Sequence, residues 1–425
     1  MTITEQHRPA AHSGQQTLAE APSDTELEGI FAPVLAQIAE GAVRRDRERE
    51  LPFDAIAALR EVRFGALRVP VEFGGYGASA RQFLSLLIDL AQADPNVAHI
   101  FRGHVAVVEE KLAAPDSEER ELWLRRLGRG DIVGNAMTEP GNGALGKQQT
   151  TLLPHGDHYL LNGHKFYSTG SIFADWTDAS ASDADGEWVS ALVKLDQPGV
   201  ELSDDWDGFG QRLTGTGTSR FSDAAVEAHA VQARGDRVSY LTAVYQTVLL
   251  ATLAGIAGSV TSETVAIVRE RKRVYSHGNA DLVRDDPQIQ AVVGEVSAAA
   301  YAARSLVLGL SPAIEEALDI TRTLGREAAV DASNRLDYEV YRVQVVLADL
   351  VPASATKLFN ALSSSAVREG VGLDRHWRNA RTIVSHNPVI YRARLIGELE
   401  INGTIPDRGL GIGVAASTLV NEPTA

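Results

Sequence analysis

Asp374-Arg-His-Trp-Arg-Asn-Ala-Arg381 runs directly into Thr382-Ile-Val-Ser-His-Asn-Pro388 near the C-terminal end of this chain. The segment closes with an imidazole and an amide, His386 and Asn387, just before a proline that disfavours further helix. An imidazole with a pKa near 6.5 can exchange a proton at neutral pH, whereas an amide cannot remove a proton from carbon. We therefore take His386 as the first candidate catalytic residue. The alternative is a histidine that only helps to end a helix.

Arginines recur in this segment at three-residue spacing, as Arg375, Arg378 and Arg381. Their guanidinium groups suit bidentate phosphate binding, and they could equally brace acidic helices. A second basic run, Arg269-Glu-Arg-Lys-Arg273, stands out from an otherwise acidic chain. Most charges in such a run lie on a solvated helix face. The residues alone leave open which arginine, Arg271 or Arg378 among others, binds a ligand.

The composition of the 425 residues narrows the classes of function. A net charge of −16 argues against a nucleic acid as partner and disfavours an anionic membrane surface, because both need a basic protein surface. Apolar runs of about 18 residues are missing, and so is a signal-like start, which predicts a cytoplasmic protein without a membrane span. The polar residues 1–23 read as a disordered tail. The chain has no cysteine, which excludes disulfides, thiolate nucleophiles and cysteine zinc sites.

The hydrophobic pattern divides the rest of the chain into three parts. Residues 24–131 have apolar positions at helical spacing. Residues 132–235 consist of short runs bounded by Gly, Asp and Pro, which is typical of β-strands. Residues 236–425 are rich in Ala, Leu and Val at helical spacing and predict a bundle of four or five long helices.

Smaller features sharpen this division. A long apolar helix is predicted from Ala80 to about Ala93, and Gly255 and Gly258 would let two helices of the bundle approach closely. His99 and His104 lie five residues apart, so they do not form the i, i+4 pair that could hold a metal on one helix face. No metal site is predicted.

Three further segments resemble motifs of the acyl-CoA dehydrogenase superfamily. They are Asn135-Ala-Met-Thr-Glu-Pro-Gly141, Asn162-Gly-His-Lys-Phe-Tyr-Ser-Thr-Gly170, and Asp204-Asp-Trp-Asp-Gly-Phe-Gly-Gln-Arg212 with Gly215-Thr-Gly-Thr218 behind it. The resemblance covers roughly residues 25–405. It implies an α+β, mostly α fold: an N-terminal helical domain, a middle β-barrel domain and a C-terminal four-helix bundle.

The C-terminal segment separates two branches of this superfamily. In the dehydrogenases, an Arg-Asp-Ala-Lys-like run leads, nine residues after its Arg, to a catalytic Glu; counting from Arg378 reaches Asn387 here. The Phe-Tyr-Ser-Thr-Gly form of the second motif is similar to that of the oxygenating branch. The chain is therefore identified as a member of the flavin-dependent monooxygenases of this fold, and it resembles sulfur-acquisition oxidoreductases and dibenzothiophene monooxygenases.

The resemblance implies a flavin site. Thr138, Tyr167 and Thr169 stand where relatives contact the flavin ring, the last two near its N5, and Trp206 would wall the flavin or the substrate pocket. The implied cofactor is FMN, with FAD as the alternative. A separate reductase would supply it reduced, since the chain has no nicotinamide-binding fingerprint.

The same resemblance implies a mechanism. O2 would add at flavin C4a to give a hydroperoxide, which Asn135 and Ser168 would stabilise by hydrogen bonds in a water-poor pocket. His386, helped by His99, would move the proton while oxygen passes to a sulfur, nitrogen or aromatic centre of a small substrate.

The family also implies the arrangement of subunits. Arg271 or Arg378 would bind the flavin phosphate, often across a subunit interface. The C-terminal bundle would build a homotetramer, a dimer of dimers.

The chain departs from these relatives at three places. Gly103 stands where a Tyr follows His99 by four residues, and Ile383 replaces a second His three residues before His386. Asn142-Gly-Ala replaces the Gly-Ser-Asp that helps dehydrogenases to hold acyl-CoA. These departures put CoA binding in doubt and leave the substrate open.

Two other functions remain. An FAD-dependent acyl-CoA dehydrogenase would need a carboxylate base elsewhere, and Glu398 or Glu400 are the nearest candidates along the chain. A flavin-free helical scaffold would bind neither oxidised nor reduced flavin.

Overall fold

The computed structural model describes residues 20–140, 148–403 and 405. Most of the tail predicted for residues 1–23, and the Asn142-Gly-Ala departure, lie outside the described residues. Within them, helices come first, then a sheet, then helices again. The predicted α+β, mostly α fold is confirmed.

The first part is helical. Its helices are α1 (Asp24–Glu48), α2 (Phe53–Glu61), α3 (Ala80–Ala93), α4 (Pro95–Ile100), α5 (Arg102–Ala113) and α6 (Glu118–Gly128). Ser79 starts α3 because its hydroxyl accepts the N–H of Gln82, whose side chain in turn accepts the N–H of Ser79. The predicted helix from Ala80 to Ala93 is confirmed. Between α4 and α5 the chain breaks at Phe101, which brings His99 and Arg102 to one junction.

The middle part is one sheet of eight described strands. They are β1 (Val133–Ala136), β2 (Thr151–His155), β3 (His158–Lys165), β4 (Trp176–Ser182), β5 (Trp188–Lys194), β6 (Val200–Leu202), β7 (Ser219–Glu227) and β8 (Val231–Ala233). The strand order is β6-β7-β3-β2-β4-β5-β8, and β1 pairs in parallel with β4, with Asn135 opposite Asp178. Helix α5 packs against β1, so the α4–α5 junction lies over this edge of the sheet.

The last part is helical again. Its helices are α7 (Leu241–Glu270), α8 (Pro287–Leu308), α9 (Ser311–Leu324), α10 (Val330–Lys357), α11 (Asp374–Val384) and α12 (Val389–Asn402). The described residues thus form six helices where the sequence predicted four or five. The difference comes from two short breaks, one between α8 and α9 and one at Pro388, where a proline restricts the residue before it.

Helix α7 packs against helices of both helical parts of the molecule. A Cβ at Gly255 would lie 2.4 Å from Ala91 Cβ, and one at Gly258 would lie 2.4 Å from Gln92 Oε1. The two glycines therefore allow close packing, but against α3 of the first part. The prediction of contact within the bundle was wrong about the partner, because the pattern shows a small face and not what covers it.

Two stretches of the described residues are long and apolar enough to cross a membrane by length and composition. One is α7, whose apolar window is 89% buried inside the protein; the other is Pro287–Leu324, which includes α8 and α9 and is 22% buried. A helix that is apolar on all sides is normally buried. The α8–α9 stretch therefore carries apolar surface that the single described chain leaves uncovered.

Candidate active site

The connection after β3 is fixed by Thr138. The Thr138 hydroxyl donates to Phe166 O at 2.7 Å and accepts the N–H of Tyr167 at 2.9 Å, while Thr138 O accepts the N–H of Phe166 at 3.0 Å. The Phe166–Tyr167 peptide bond is cis. These bonds join the segment after β1 to the segment after β3. Two of the motifs seen in the sequence therefore form one structural unit.

Ser168 and Asn135 lie at the inner side of this unit. The N–H of Ser168 donates to Gly217 O at 2.9 Å, and the N–H of Asn135 donates to Thr169 O at 3.1 Å. Ser168 Oγ is buried and has no hydrogen-bond partner among the described residues. Buried hydroxyls normally have a partner, so an orphan of this kind points to a missing ligand or water.

Helix α5 closes on Asn135 at Gly103. A Cβ added at Gly103 would lie 2.9 Å from Asn135 Cβ and 2.9 Å from the backbone of Gly134. Such contacts are shorter than side chains tolerate. The glycine that replaces the relatives' Tyr is therefore required by the packing of α5 on β1.

A row of threonines extends from this unit. Thr169 Oγ1 lies 2.8 Å from Thr216 Oγ1, which lies 2.8 Å from Thr214 Oγ1. The Thr214 hydroxyl donates to Gln211 O at 3.0 Å. The four residues form a continuous buried chain of hydrogen bonds. The sequence motifs included Thr169 and Thr216, but they could not show that these hydroxyls meet.

Gln211 joins this row to the helices. Its N–H donates to Asn379 Oδ1 at 2.7 Å, and its Oε1 lies 2.9 Å from Nδ1 of His99. The φ angle of Gln211 is 51°, in the left-handed region that residues other than glycine rarely adopt. The structure therefore holds Gln211 in a strained conformation that carries its side chain to His99.

His99 and His386 face the same space from different parts of the chain. Burial lowers the pKa of His99 to about 4, the charge of Arg102 lowers it further, and the bond to Gln211 opposes the shift. The pKa of His386 also lies well below its ordinary value, through crowding by protein atoms and the charges of Arg102 and His99. The accessible surface of His386 shows that one side of this residue is nevertheless open to solvent. Both imidazoles are neutral at pH 7.

Arg102 is the cation of this space, and sequence reasoning gave it no role. Its Nε donates to Tyr245 O at 3.3 Å, and its guanidinium carbon lies 4.6 Å from the centre of the Tyr245 ring. Burial lowers the pKa of Arg102 to about 10, so it stays charged at neutral pH. Among the described residues no carboxylate contacts it. The signal in the sequence was an arginine within the apolar stretch around Ile100 and Phe101.

The position after His386 carries no base. Asn387 Nδ2 donates to Gln246 Oε1 at 2.6 Å, which ties the α11–α12 turn to α7. Glu398 and Glu400, the alternative bases, are paired with Arg394 at 2.7 Å and with Arg342 at 2.6 Å.

Two carboxylates, Asp178 and Glu110, lie close enough to the Tyr245 hydroxyl for their charges to raise its pKa. Both are bound by Arg237, at 2.6 and 2.7 Å. No carboxylate among the described residues is therefore free to act as a base in this space.

Two aromatic side chains lie next to each other beside the segment fixed by Thr138. Tyr167 is 46% exposed, and its ring centre lies 5.7 Å from that of Trp206 at an angle of 80°. Trp206 Nε1 donates to Gly210 O at 3.0 Å, which holds the indole against its own loop. The two rings are nearly perpendicular, so they form an edge-to-face pair, and one of the two rings can lie flat against a ligand.

The two candidate phosphate-binding arginines lie in different settings. Arg378 donates to Asp374 at 2.7 Å and to Phe209 O at 3.2 Å, and it also binds Asp46. These partners favour the bracing role for Arg378. Arg271 follows the end of α7, roughly 40 Å along the helix from Tyr245, since each helical residue adds about 1.5 Å. Arg271 cannot reach the space near His386 in its own chain.

His104 has a different setting from His99. Its Nε2 lies 2.8 Å from Gly65 O, and its Nδ1 accepts the N–H of Val133 at 3.3 Å. Both ring nitrogens are therefore used to join α5 to its neighbours. Burial lowers the pKa of His104 to about 4, which keeps this bridge neutral.

Comparisons with known proteins agree with this geometry. Three models of acyl-CoA dehydrogenase domains match the chain: the N-terminal domain over residues 32–131, the middle domain over 134–224 and the C-terminal domain over 247–390. A curated relative, a probable FMNH2-dependent monooxygenase, SfnC, from Pseudomonas putida, is 26% identical over 389 residues, which cover 89% of this chain and 95% of that protein.

Solved structures give the same picture. The FMN-bound structure of TdsC from Paenibacillus sp. A11-2 matches with a TM-score of 0.81 and 24% identity, and covers 90% of this chain and 98% of TdsC. The methanesulfinate monooxygenase MsuC from Pseudomonas fluorescens matches with a TM-score of 0.80 and 25% identity, and covers 89% of this chain and 97% of MsuC.

Proposed function

The chain belongs to the acyl-CoA dehydrogenase family, in the branch of its flavin-dependent monooxygenases, and we propose that it oxygenates a small organic substrate with reduced FMN and O2. The observation that carries this proposal is the α11–α12 turn. It presents His386 beside an amide that is bound to Gln246, in the place where a dehydrogenase needs a carboxylate. Without a carboxylate at this position, the group with which the dehydrogenases remove a substrate α-proton is missing.

The residues around Thr138 fit a flavin. The orphaned hydroxyl of Ser168 offers a hydrogen bond to a ligand, and the edge-to-face pair of Tyr167 and Trp206 offers one flat aromatic face. When bound, reduced FMN would supply the two electrons that activate O2, through the C4a-hydroperoxide that the family resemblance implies. Ser168 and Asn135 would then donate hydrogen bonds to oxygen atoms in a space with little water.

His386 and His99 would transfer the proton in the proposed reaction. His386 and His99 are neutral at pH 7, so each can accept a proton or donate its own N–H. His386 comes from a turn with an exposed side and would exchange the proton with substrate. His99 is buried and is oriented by Gln211. Arg102 would keep both rings neutral and attract negative charge that develops on oxygen.

The substrate is proposed as a small molecule with a sulfur, nitrogen or aromatic centre. The relatives named above include a methanesulfinate monooxygenase and a probable FMNH2-dependent monooxygenase. Gly103 and Ile383 differ from the sulfur-heterocycle enzymes, so oxygenation of nitrogen or of an aromatic ring stays within the proposal.

The assembly is proposed as a homotetramer that receives FMN from a separate reductase. Apolar side chains on the outside of the last part support the oligomer: Tyr301 of α8 is 76% exposed, and Ile390 and Ile401 of α12 are 74% and 82% exposed. Apolar surface of this kind is typical of subunit interfaces. Arg271 would then act on the flavin phosphate of a neighbouring subunit.

An anaerobic titration with reduced FMN, followed by a pulse of O2, tests the proposed function. We expect stoichiometric binding and then a transient flavin absorbance that decays to oxidised FMN. The control is the same pulse on free reduced FMN, which reoxidises without a transient. If the protein sample also reoxidises at once, the monooxygenase proposal is wrong.

The dehydrogenase alternative has its own experiment. The protein loaded with FAD is mixed with acyl-CoA substrates of several lengths in the absence of O2. We expect no bleaching of the flavin, because the described residues near Asn387 offer no free carboxylate. Bleaching would support dehydrogenation and count against the proposed function.

A further inference from the structure

We infer that the row Thr169, Thr216, Thr214 and the Gln211 carbonyl is a device that selects reduced over oxidised flavin. The inference rests on the proposed function, and it assigns this selection to residues that need not touch the flavin themselves. Thr169 is 7% exposed and Thr216 8%, and Thr214 is fully buried, so no bulk water takes part in their bonds. The direction of each bond is then set by the protein alone.

The direction follows from the last acceptor of the row. A carbonyl oxygen only accepts, so Thr214 must donate its proton to Gln211 O. Thr214 Oγ1 then accepts from Thr216, and Thr216 Oγ1 accepts from Thr169. Each hydroxyl has one proton, and this order uses all three. What remains on Thr169 Oγ1 is a lone pair.

The lone pair distinguishes the two redox states of a flavin. N5 of reduced flavin carries a hydrogen and donates, whereas N5 of oxidised flavin has none and accepts. With Thr169 at N5, where the family resemblance puts it, reduced flavin completes a row of four hydrogen bonds. Oxidised flavin either faces a lone pair or forces the row to reverse, which leaves Gln211 O without the proton of Thr214.

The expected preference is modest. One net hydrogen bond is worth roughly a factor of five in a binding constant. We therefore expect this row alone to make reduced FMN bind about fivefold more tightly relative to oxidised FMN. For a two-electron couple this ratio corresponds to a rise of about 20 mV in the midpoint potential of bound FMN.

The test compares dissociation constants for oxidised FMN and for chemically reduced FMN under anaerobic conditions. In Thr216→Val the Thr169 hydroxyl loses its acceptor and can turn toward N5, and in Thr214→Val the Thr216 hydroxyl can turn toward Thr169. In both variants the dissociation constant for oxidised FMN, divided by that for reduced FMN, should be about fivefold lower than in the wild-type protein. The midpoint potential of bound FMN should fall by about 20 mV.

Two controls keep the test specific. Thr216→Ser keeps the hydroxyl and should keep the ratio. Thr321→Val on α9 replaces another buried threonine, 7% exposed and bonded to Ala317 O, and should also leave the ratio unchanged. If Thr214→Val does not fold, Thr216→Val against Thr216→Ser decides alone.

The outcomes separate the two proposals. An unchanged ratio in Thr216→Val, with both flavins still bound, overturns the inference and leaves the proposed function standing. A ratio lost equally in Thr216→Ser overturns it too, because the hydroxyl is still present. Failure of the wild-type protein to bind either flavin overturns the proposed function instead.

Discussion

Two groups of residues in this molecule combine histidine and arginine, and they differ in one component. The first, which we call the site group, consists of His99, Arg102 and His386. The second, the braced group, consists of Glu263, Arg375 and His376. Both touch α7, at positions about 27 Å apart along the helix.

The braced group is neutral overall. Arg375 is ion-paired with Glu263, whose second oxygen lies 3.2 Å from Nε2 of His376. Burial acts to raise the pKa of Glu263, but the bonds to His376 and Arg375 outweigh it and lower that pKa to about 2. Every charge has a partner, so the group can serve to hold α11 on α7.

The site group lacks the carboxylate and keeps a net positive charge. A buried cation without a carboxylate partner costs stability, and such a cost persists where it serves function. The contrast teaches that residue types alone do not separate a structural cluster from a reactive one. The presence or absence of a charge partner does.

The largest difference in turnover between the site group and the braced group should appear when one histidine in each group is replaced by asparagine. His386→Asn removes the proton carrier, and we expect turnover to fall about 1000-fold while the free energy of unfolding stays near its wild-type value. His376→Asn is the matched control in the braced group and should lower stability with little effect on turnover per folded molecule. Steady-state kinetics and urea unfolding measure the two quantities; equal effects of both variants on turnover would remove the distinction.

Arg102→Met should lower turnover about 100-fold, which corresponds to about 2.7 kcal/mol of transition-state stabilisation. The variant should fold about as stably as the wild-type protein, because the lost contacts with Tyr245 are offset by removal of a buried cation that has no carboxylate partner. Urea unfolding of the same preparation checks the second half. A large loss of stability would contradict this expectation, because it would mean that the contacts of Arg102 with Tyr245 outweigh the cost of its buried charge.

Arg375→Met should do the reverse. Removal of this partner leaves Glu263 charged and partly buried, and we expect the free energy of unfolding to fall by about 2 kcal/mol. The double variant Arg375→Met with Glu263→Gln should recover part of the loss, because no unpaired charge remains. Turnover corrected for the folded fraction should stay unchanged.

The smallest effect concerns pH. Burial is the first cause that lowers the pKa of His99 and His386, and Arg102 adds to it. A neutral base is present above its pKa and is lost as the pH falls through it, so turnover should stay flat from pH 8 to well below 6.5. In Arg102→Met the positive charge that helps to lower both pKa values is gone. The acid limb of the pH profile of turnover should therefore move to higher pH by a fraction of a unit. A limb that moves to lower pH would contradict the assigned charge interaction.

Local patterns in the sequence predicted the fold and part of the site. The helix from Ala80 to Ala93 was predicted from its apolar residues, which are a local signal, and the structure adds the cap at Ser79. Asn135, Ser168 and Thr169 were nominated from short motifs, and the structure joins Asn135 to Thr169 and Ser168 to Gly217 through backbone bonds. Arg378 was nominated in the same way, and its bonds to Asp46 and Asp374 favour bracing.

The rest of the site depends on contacts between distant segments. Arg102 meets Tyr245 across 143 positions, and Asn387 meets Gln246 across 141. Neither pair leaves a periodic or spaced pattern in the chain. The direction of the threonine row likewise depends on a backbone carbonyl, which a sequence does not display.

The close packing around Gly103 limits which residues can be introduced at this position. A side chain at this position would push α5 away from β1 and displace Asn135 at the same time. Restoring the tyrosine of its relatives by a single exchange would therefore damage the pocket it was meant to reshape. A change of substrate range at this point has to begin with the helix backbone.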